Sequence, residues 1–272
     1  MTETWYFLDT NKQTPAYNMA ADECLLRWHS DGKIPPVLRF YEWLPAGLSI
    51  GYFQKTKNKI DLEAVKKNGF QLVRRLTGGR AVLHDKELTY SIIISENHPR
   101  MPKSVKEAYL VLSKGLLEGY RQLGIAADFA VPKEKVTPAQ SAVCFEEPSW
   151  YELVIDNKKA AGSAQTRMQG VILQHGSIPL SVDKDTLYDL FIYRNEKVKE
   201  RARASYDNKA ISIHQAAGRE VSLEETKKAL KTGFQIGLDI ELKTFVLSNE
   251  QEKEIHDLMH SKYVTDEWNF SR

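Results

Sequence analysis

Residues 150–180, WYELVIDNKKAAGSAQTRMQGVILQHGSIPL, hold three strand-like runs parted by two turn signals. Trp150 to Ile155 turns at Asp156-Asn157 into Lys159 to Gln165, and Gly170 turns that run into Val171 to Leu180. Asn, Asp and Gly tolerate the left-handed backbone that such tight turns need. Strands joined this closely pair antiparallel, because a parallel pair needs a crossover of a dozen or more residues. The stretch therefore predicts a largely antiparallel sheet. Upstream, Val37–Tyr41, Leu48–Tyr52, Phe70–Val73 and Leu88–Ile94 read as further strands.

Helices flank these runs. Thr14 precedes Pro15, which suits a helix's first turn, and the helix extends to about Trp28. Asp61–Lys67 is a short helix. Ser104 with Glu107 has capping-box spacing, and Val105, Tyr109, Leu112, Leu116, Tyr120 and Leu123 then share one helical face up to Gly124. Further helices are expected near 184–192, 222–236 and 249–261, with the same capping spacing at Ser222/Glu225 and Ser248/Gln251. Residues 132–143 read as a polar, proline-containing loop. The pattern is an α+β fold: a mixed, largely antiparallel sheet with packed helices. No linker divides the chain, so one domain over 1–272 is expected, its core at roughly 33–247 and a short helical C-terminal extension at 248–272.

Composition narrows the class. The chain has 272 residues, 38 basic against 36 acidic, for a net charge of +2. That balance gives no footprint for nucleic acid. No apolar run is long enough to span a membrane, and Met1–Trp5 has no secretory character. Two cysteines give no disulfide framework. A cytoplasmic enzyme or binding protein is the expectation.

The densest chemistry lies at 74–85, Arg74-Arg75-Leu76-Thr77-Gly78-Gly79-Arg80-Ala81-Val82-Leu83-His84-Asp85. Adjacent glycines let a ligand lie against bare backbone N–H groups, although a Gly-Gly pair is also an ordinary tight turn. Cys144 sits in a loop just before Trp150, and a loop on rigid strands is a favoured catalytic position; a structural thiol fits as well. Cys24 lies in the first helix and reads as packing. Lys159 is followed by small residues that admit a ligand, or is a solvent-facing strand lysine. Gln174-His175-Gly176 interrupts an apolar strand, which marks a site or a satisfied core histidine. His256 and His260 have helical metal-pair spacing but lack a third ligand, so no metal site is expected. Lys55, Lys57 and Lys59 read as a solvated loop, with docking of an acidic partner as the other reading.

In combination these segments are more specific. Arg74-Arg75-x-Thr77-Gly78-Gly79-x-Ala81-Val82-x-His84-Asp85, Lys159-x-x-Gly162-Ser163-Ala164-Gln165 and Gln174-His175-Gly176, in that order, resemble the lipoate-protein ligase and octanoyltransferase family. Pro15-Ala16-Tyr17-Asn18-Met19-Ala20-x-Asp22-Glu23 is similar to that family's first helix, and the likeness runs from Trp5 to Asn269. It implies the catalytic-domain fold that this family shares with biotin protein ligases. The stretch from Ser141 to Val154 resembles the nucleophile loop of octanoyltransferases in the family, which moves Cys144, and with it Lys159, to a catalytic reading. Arg80 stands where ATP-using ligases usually have a third glycine. No cysteine follows Cys144, which excludes the arrangement with a nucleophile after the His-Gly segment.

The resemblance implies transfer of octanoyl from octanoyl-acyl carrier protein to a lysine of a lipoyl-domain protein, foremost the glycine cleavage H protein. A Cys144 thioester would be the intermediate, with no ATP or metal. It also implies that Arg74, Thr77, Gly78, Gly79, His84, Gly162, Ser163, Ala164, Gln174, His175 and Gly176 bind substrate, with Ala160, Ala161 and Ala164 walling the acyl tunnel. No nucleic acid or membrane partner is expected, and a monomer is the default. The alternatives are an amidotransferase taking octanoyl from the H protein to other lipoyl domains, and an ATP-dependent lipoate ligase.

Overall fold

Thr14 and Pro15 begin a helix as their residue types require. The Thr14 hydroxyl accepts the Tyr17 N–H at 3.3 Å, and Pro15 stands where no donor is needed. The computed structural model describes residues 2–130 and 152–272. The strands are β1 (Glu3–Gln13), β2 (Val37–Trp43), β3 (Gly47–Ile50), β4 (Gln71–Arg74), β5 (Val82–His84), β6 (Glu87–Ser95), β7 (Asp128–Phe129), β8 (Leu153–Ile155), β9 (Lys158–Lys159), β10 (Gly162–Met168), β11 (Val171–Pro179) and β12 (Ile240–Thr244). The helices are α1 (Pro15–Ser30), α2 (Leu62–Lys67), α3 (Val105–Gln122), α4 (Lys184–Asp189), α5 (Glu196–Lys209), α6 (Ile213–Ala217), α7 (Leu223–Leu238), α8 (Asn249–Leu258) and α9 (Asp266–Asn269). One π-helical turn, Met259–Tyr263, continues α8.

The main sheet has the order β10-β11-β6-β2-β1-β12. Its first three pairings are antiparallel and its last two parallel. Helices cover both faces, so its central strands are buried on both sides and read as near-continuous apolar runs. On β6, Ile92 and Ile94 join the core under α3 and α7, while Ile93 points to the opposite core under α1. A third cluster lies between the small sheet β4-β3-β5 and α2, α4 and α5. Among the described residues, no helix is long and apolar enough to cross a membrane.

The structure alters several expectations. β1 and β12 form one side of the main sheet, and α1 is buried along most of its length. The packed body therefore begins ahead of residue 33. The segment 159–165 is not one strand: β9 pairs with β8, while β10 joins the main sheet. Between them, Ala160 and Ala161 pack into the core under α3. Val105 starts α3 as an exposed residue, although its helical face is otherwise apolar. Helices α5, α6 and α9 were not anticipated. The expected 132–143 loop lies outside the described residues.

Candidate active site

A cavity of about 420 Å³ opens between β10 and β11, the small sheet and the first turns of α3, a size suited to a small-molecule site. Met19, Tyr41, Trp43 and Val82 supply apolar lining, and all four are buried.

Two imidazole–carboxylate pairs stand in the polar wall. His84 Nδ1 lies 2.7 Å from Glu87 Oε1, and the same carboxylate accepts the hydroxyls of Thr89 and Ser177. With that donor engaged, His84 Nε2 accepts from the Ser49 hydroxyl at 2.8 Å. Trp43 stacks on the His84 ring with centroids 4.0 Å apart and donates Nε1–H to Thr89 Oγ1 at 2.7 Å. The second pair is His175 and Asp22, with Nδ1 3.1 Å from Oδ2. Burial would raise the Asp22 carboxyl, but His175 and Arg39 hold it below its ordinary value. Burial pushes His175 down in spite of Asp22. Neutral His175 thus accepts the Thr77 hydroxyl on Nε2, at 2.6 Å.

Arg75 joins both pairs to the glycine loop. Its Nη1 reaches Ser49 Oγ at 3.0 Å and its Nε reaches Thr77 Oγ1 at 3.2 Å. Its Nη2 holds the carbonyls of Gly78 and Arg80, each at 2.8 Å. In a trans peptide the N–H points opposite the carbonyl, so the Gly79 N–H is turned away from the guanidinium. Gly79 has φ +95°, a conformation that other residues rarely adopt. A Cβ on Gly51 would lie 2.0 Å from the Gly79 carbonyl oxygen, so the loop needs glycine at both places.

On the opposite wall, Lys159 Nζ donates to Glu152 Oε1 at 2.6 Å. Both side chains are buried, at 1% and 8% exposure. The Lys159 carbonyl is anchored by Ile211 N–H at 3.0 Å. The carboxylate offsets the cost of burying the ammonium. Cys24 lies in the α1 core, where burial pushes its thiol up to about 12. It is therefore no nucleophile at neutral pH. Cys144 lies outside the described residues.

The cavity lies within a stretch that matches a known family: the lipoyl protein ligase A/B catalytic domain matches residues 14–235. The chain belongs to that family. Among its relatives are the proteins named octanoyltransferase LipM from Geobacillus kaustophilus and Bacillus subtilis. They are 56% and 54% identical to it, and each alignment covers 99% of both chains. Among solved structures, a bi-partite lipoate protein ligase of an archaeal lipoylation system, described with its E2 lipoyl domain from Thermoplasma acidophilum, superposes with a TM-score of 0.80. It is 25% identical, over 98% of this chain and 96% of that one.

Within this lipoyl-ligase-type fold, the residues expected at the site divide into three groups. Gly78, Gly79, His84, Lys159, Gly162, Ser163, Ala164, His175 and Gly176 all line the cavity. Thr77 and Gln174 stand one hydrogen bond behind it. Thr77 holds His175, and Gln174 Oε1 accepts from the cavity residue Gln165 Nε2 at 3.0 Å while its own Nε2 donates to Tyr90 Oη at 3.1 Å. Arg74 does not line the cavity. Its guanidinium is fully buried and donates to the carbonyls of Gly51, Tyr52, Gln54 and Asn269. Ala160 and Ala161 are core residues rather than tunnel wall. The sequence reading missed Glu152, Glu87, Asp22 and Ser49. Asp22 left one signal: a carboxylate on an otherwise apolar helix must be paired if it is buried.

Proposed function

We propose that this octanoyltransferase works in two steps through a Cys144 thioester, within a single domain spanning residues 1–272. The donor is octanoyl-acyl carrier protein, and the acceptor is a lysine of a lipoyl-domain protein such as the glycine cleavage H protein. The Cys144 thiolate attacks the octanoyl carbonyl, an enzyme S–C bond forms, and the donor thiolate leaves and takes up a proton. The acceptor's neutral amine then attacks the enzyme thioester. An amide forms, the Cys144 sulfur leaves, and the amine gives up a proton. The donor is already activated, so the scheme needs no ATP or metal. Each step engages one partner protein at a time.

The observation that carries this reading is the buried Lys159–Glu152 pair in the cavity wall. Glu152 follows Cys144 by eight residues. An ammonium beside a thiol favours the thiolate, and each pKa unit of that preference corresponds to about 1.4 kcal/mol. The N–H groups of the Gly78-Gly79 loop and of Gly162-Ser163 are suited to hold an oxyanion. An octanoyl chain desolvated against Met19, Tyr41, Trp43 and Val82 would contribute about 5 kcal/mol, at about 0.8 per methylene.

Mass spectrometry tests the scheme. After incubation with an octanoyl thioester, the protein should gain one octanoyl group on the peptide holding Cys144, and Cys144→Ser should gain none. Adding a lipoyl-domain protein should then discharge the adduct onto that protein's lysine. An undiminished transfer rate in Cys144→Ser would overturn the covalent step. Offering octanoyl-carrier protein and octanoyl-H protein separately identifies the donor.

A further inference from the structure

Two basic segments far apart in sequence lie side by side in the fold. Ile60 pairs with Phe191 in an isolated antiparallel bridge. Asp61 N–H donates to Leu190 O at 2.9 Å, and Ile192 N–H donates to Lys59 O at 3.0 Å. The bridge joins residues 55–60 to 190–203, and together they hold eight basic and two acidic side chains. Lys199 and Arg203 are ion-paired with Asp189 and Asp185, and the other six basic side chains against Glu196 and Glu200 still exceed the net charge of +2 of the whole chain. Lys55, Lys57, Lys59, Arg194, Lys197 and Arg201 are all exposed, and none forms an ion pair with a described residue. Phe53, Ile192 and Val198 are exposed among them at 71%, 50% and 41%.

This surface adjoins the cavity at two points. A Cβ on Gly78 would lie 3.9 Å from Phe53 Cδ2. The chain leaving α5 bridges to Lys159 through Ala210. We infer that this composite surface docks an acidic face of the acyl-donor carrier domain and presents its thioester to the cavity. The inference rests on the proposed carrier-borne donor. Glu196 and Glu200 lie on the same surface with three exposed apolar side chains. That mixture fits a protein partner, since a polyphosphate strand would meet repulsion from the carboxylates and gain little from the apolar groups. Complementary charge acts mainly on encounter, and is screened by salt.

The test compares the full-length protein with a Lys57→Glu/Lys59→Glu/Arg201→Glu variant, using two donors: octanoyl-carrier protein and a small octanoyl thioester. With the carrier donor, KM should rise by about tenfold or more with kcat little changed, and the wild type's decline of kcat/KM with added salt should flatten. Acyl-enzyme formation from the small thioester should be unchanged. An unaltered carrier KM would overturn the inference. So would an equal loss with both donors, or a rise confined to the KM of the lipoyl-domain acceptor. Gel-shift binding of duplex DNA or RNA that the substitutions abolish, with donor KM intact, would assign the surface to nucleic acid instead. If wild-type protein forms no acyl-enzyme with either thioester, it is the covalent reading that fails; the docking inference fails alone when acyl-enzyme forms and the carrier KM does not respond.

Discussion

At the residue scale, the Lys159–Glu152 pair separates stability from chemistry. Removing one member of a buried ion pair strands the other, at a cost of about 3–5 kcal/mol. Lys159→Met should therefore lower stability to chemical denaturation by that order and stop acyl-enzyme formation. Lys159→Met/Glu152→Gln removes both charges and should recover most of the stability while staying inactive. Recovery of activity in the double variant would refute a role for the ammonium. His175 gives a pH prediction. The fold holds its pKa below the ordinary value of 6.5, so below that pH the unfolded chain binds more protons than the folded one. The histidine's contribution is complete above about pH 6.5, and is lost as pH falls toward the folded value. Asp22 acts in the same direction further down, where its pKa is held below 3.8. Urea midpoints measured from pH 7.5 down to 5 should fall less steeply for His175→Gln than for wild type; parallel slopes would count against the assignment.

At the element scale, the α3–α7 contact brings backbone against backbone at its glycines, beside the side chains of Leu230 and Phe234. Gly115 and Gly119 on α3 meet Gly233 and Gly237 on α7, and a Cβ on Gly233 would lie 2.1 Å from the Gly119 nitrogen. Main chain cannot give way as a side chain can, so Gly233→Ala should cost about 3 kcal/mol, at the upper end for overpacking. A denaturation midpoint within error of wild type would show that the helices separate freely. Arg74 belongs to a second such joint. Asn269 Oδ1 accepts the Arg74 N–H at 2.8 Å, and Trp268 Nε1 donates to the Arg74 carbonyl at 2.9 Å. Asn269→Ala leaves a buried N–H unpaired and should cost about 1–3 kcal/mol. These joints explain what the sequence hid. Ile92 and Leu173 reveal their strands because burial on both faces leaves a near-continuous apolar run, and Leu112 and Leu116 reveal α3 because burial on one face leaves a helical period. Arg74 beside two glycines looks like a ligand arm, and only the folded C-terminus discloses its carbonyl cage. Helix α5 buries Tyr206 alone among its residues, so it has no apolar period to read. The site glycines were legible from local chemistry, whereas Glu152 and Glu87 acquire meaning only from partners that folding brings to them.

At the scale of the whole molecule, the site is divided between parts of unequal stability. His175 and Gly176 come from β11, Thr89 from β6 and Trp43 from β2, and these strands are paired and covered on both faces. Helix α5, which carries part of the basic surface, is held by few buried groups. Local opening follows buried contact, so amides in β2, β6 and β11 should exchange last with solvent and those of α5 among the first. Equal protection of α5 and β6 would refute that division. The consequence for transfer is directional. On the proposed scheme, rigid strands would keep His175 and Gly176 set for the reacting carbonyl, which matters because small misplacements are costly to chemistry. On that scheme the helix would adjust to an incoming carrier without disturbing them. Adding the carrier domain should therefore slow exchange in α5 and in residues 55–60 while leaving β6 and β11 unchanged. Slowing confined to the strands would place the contact elsewhere.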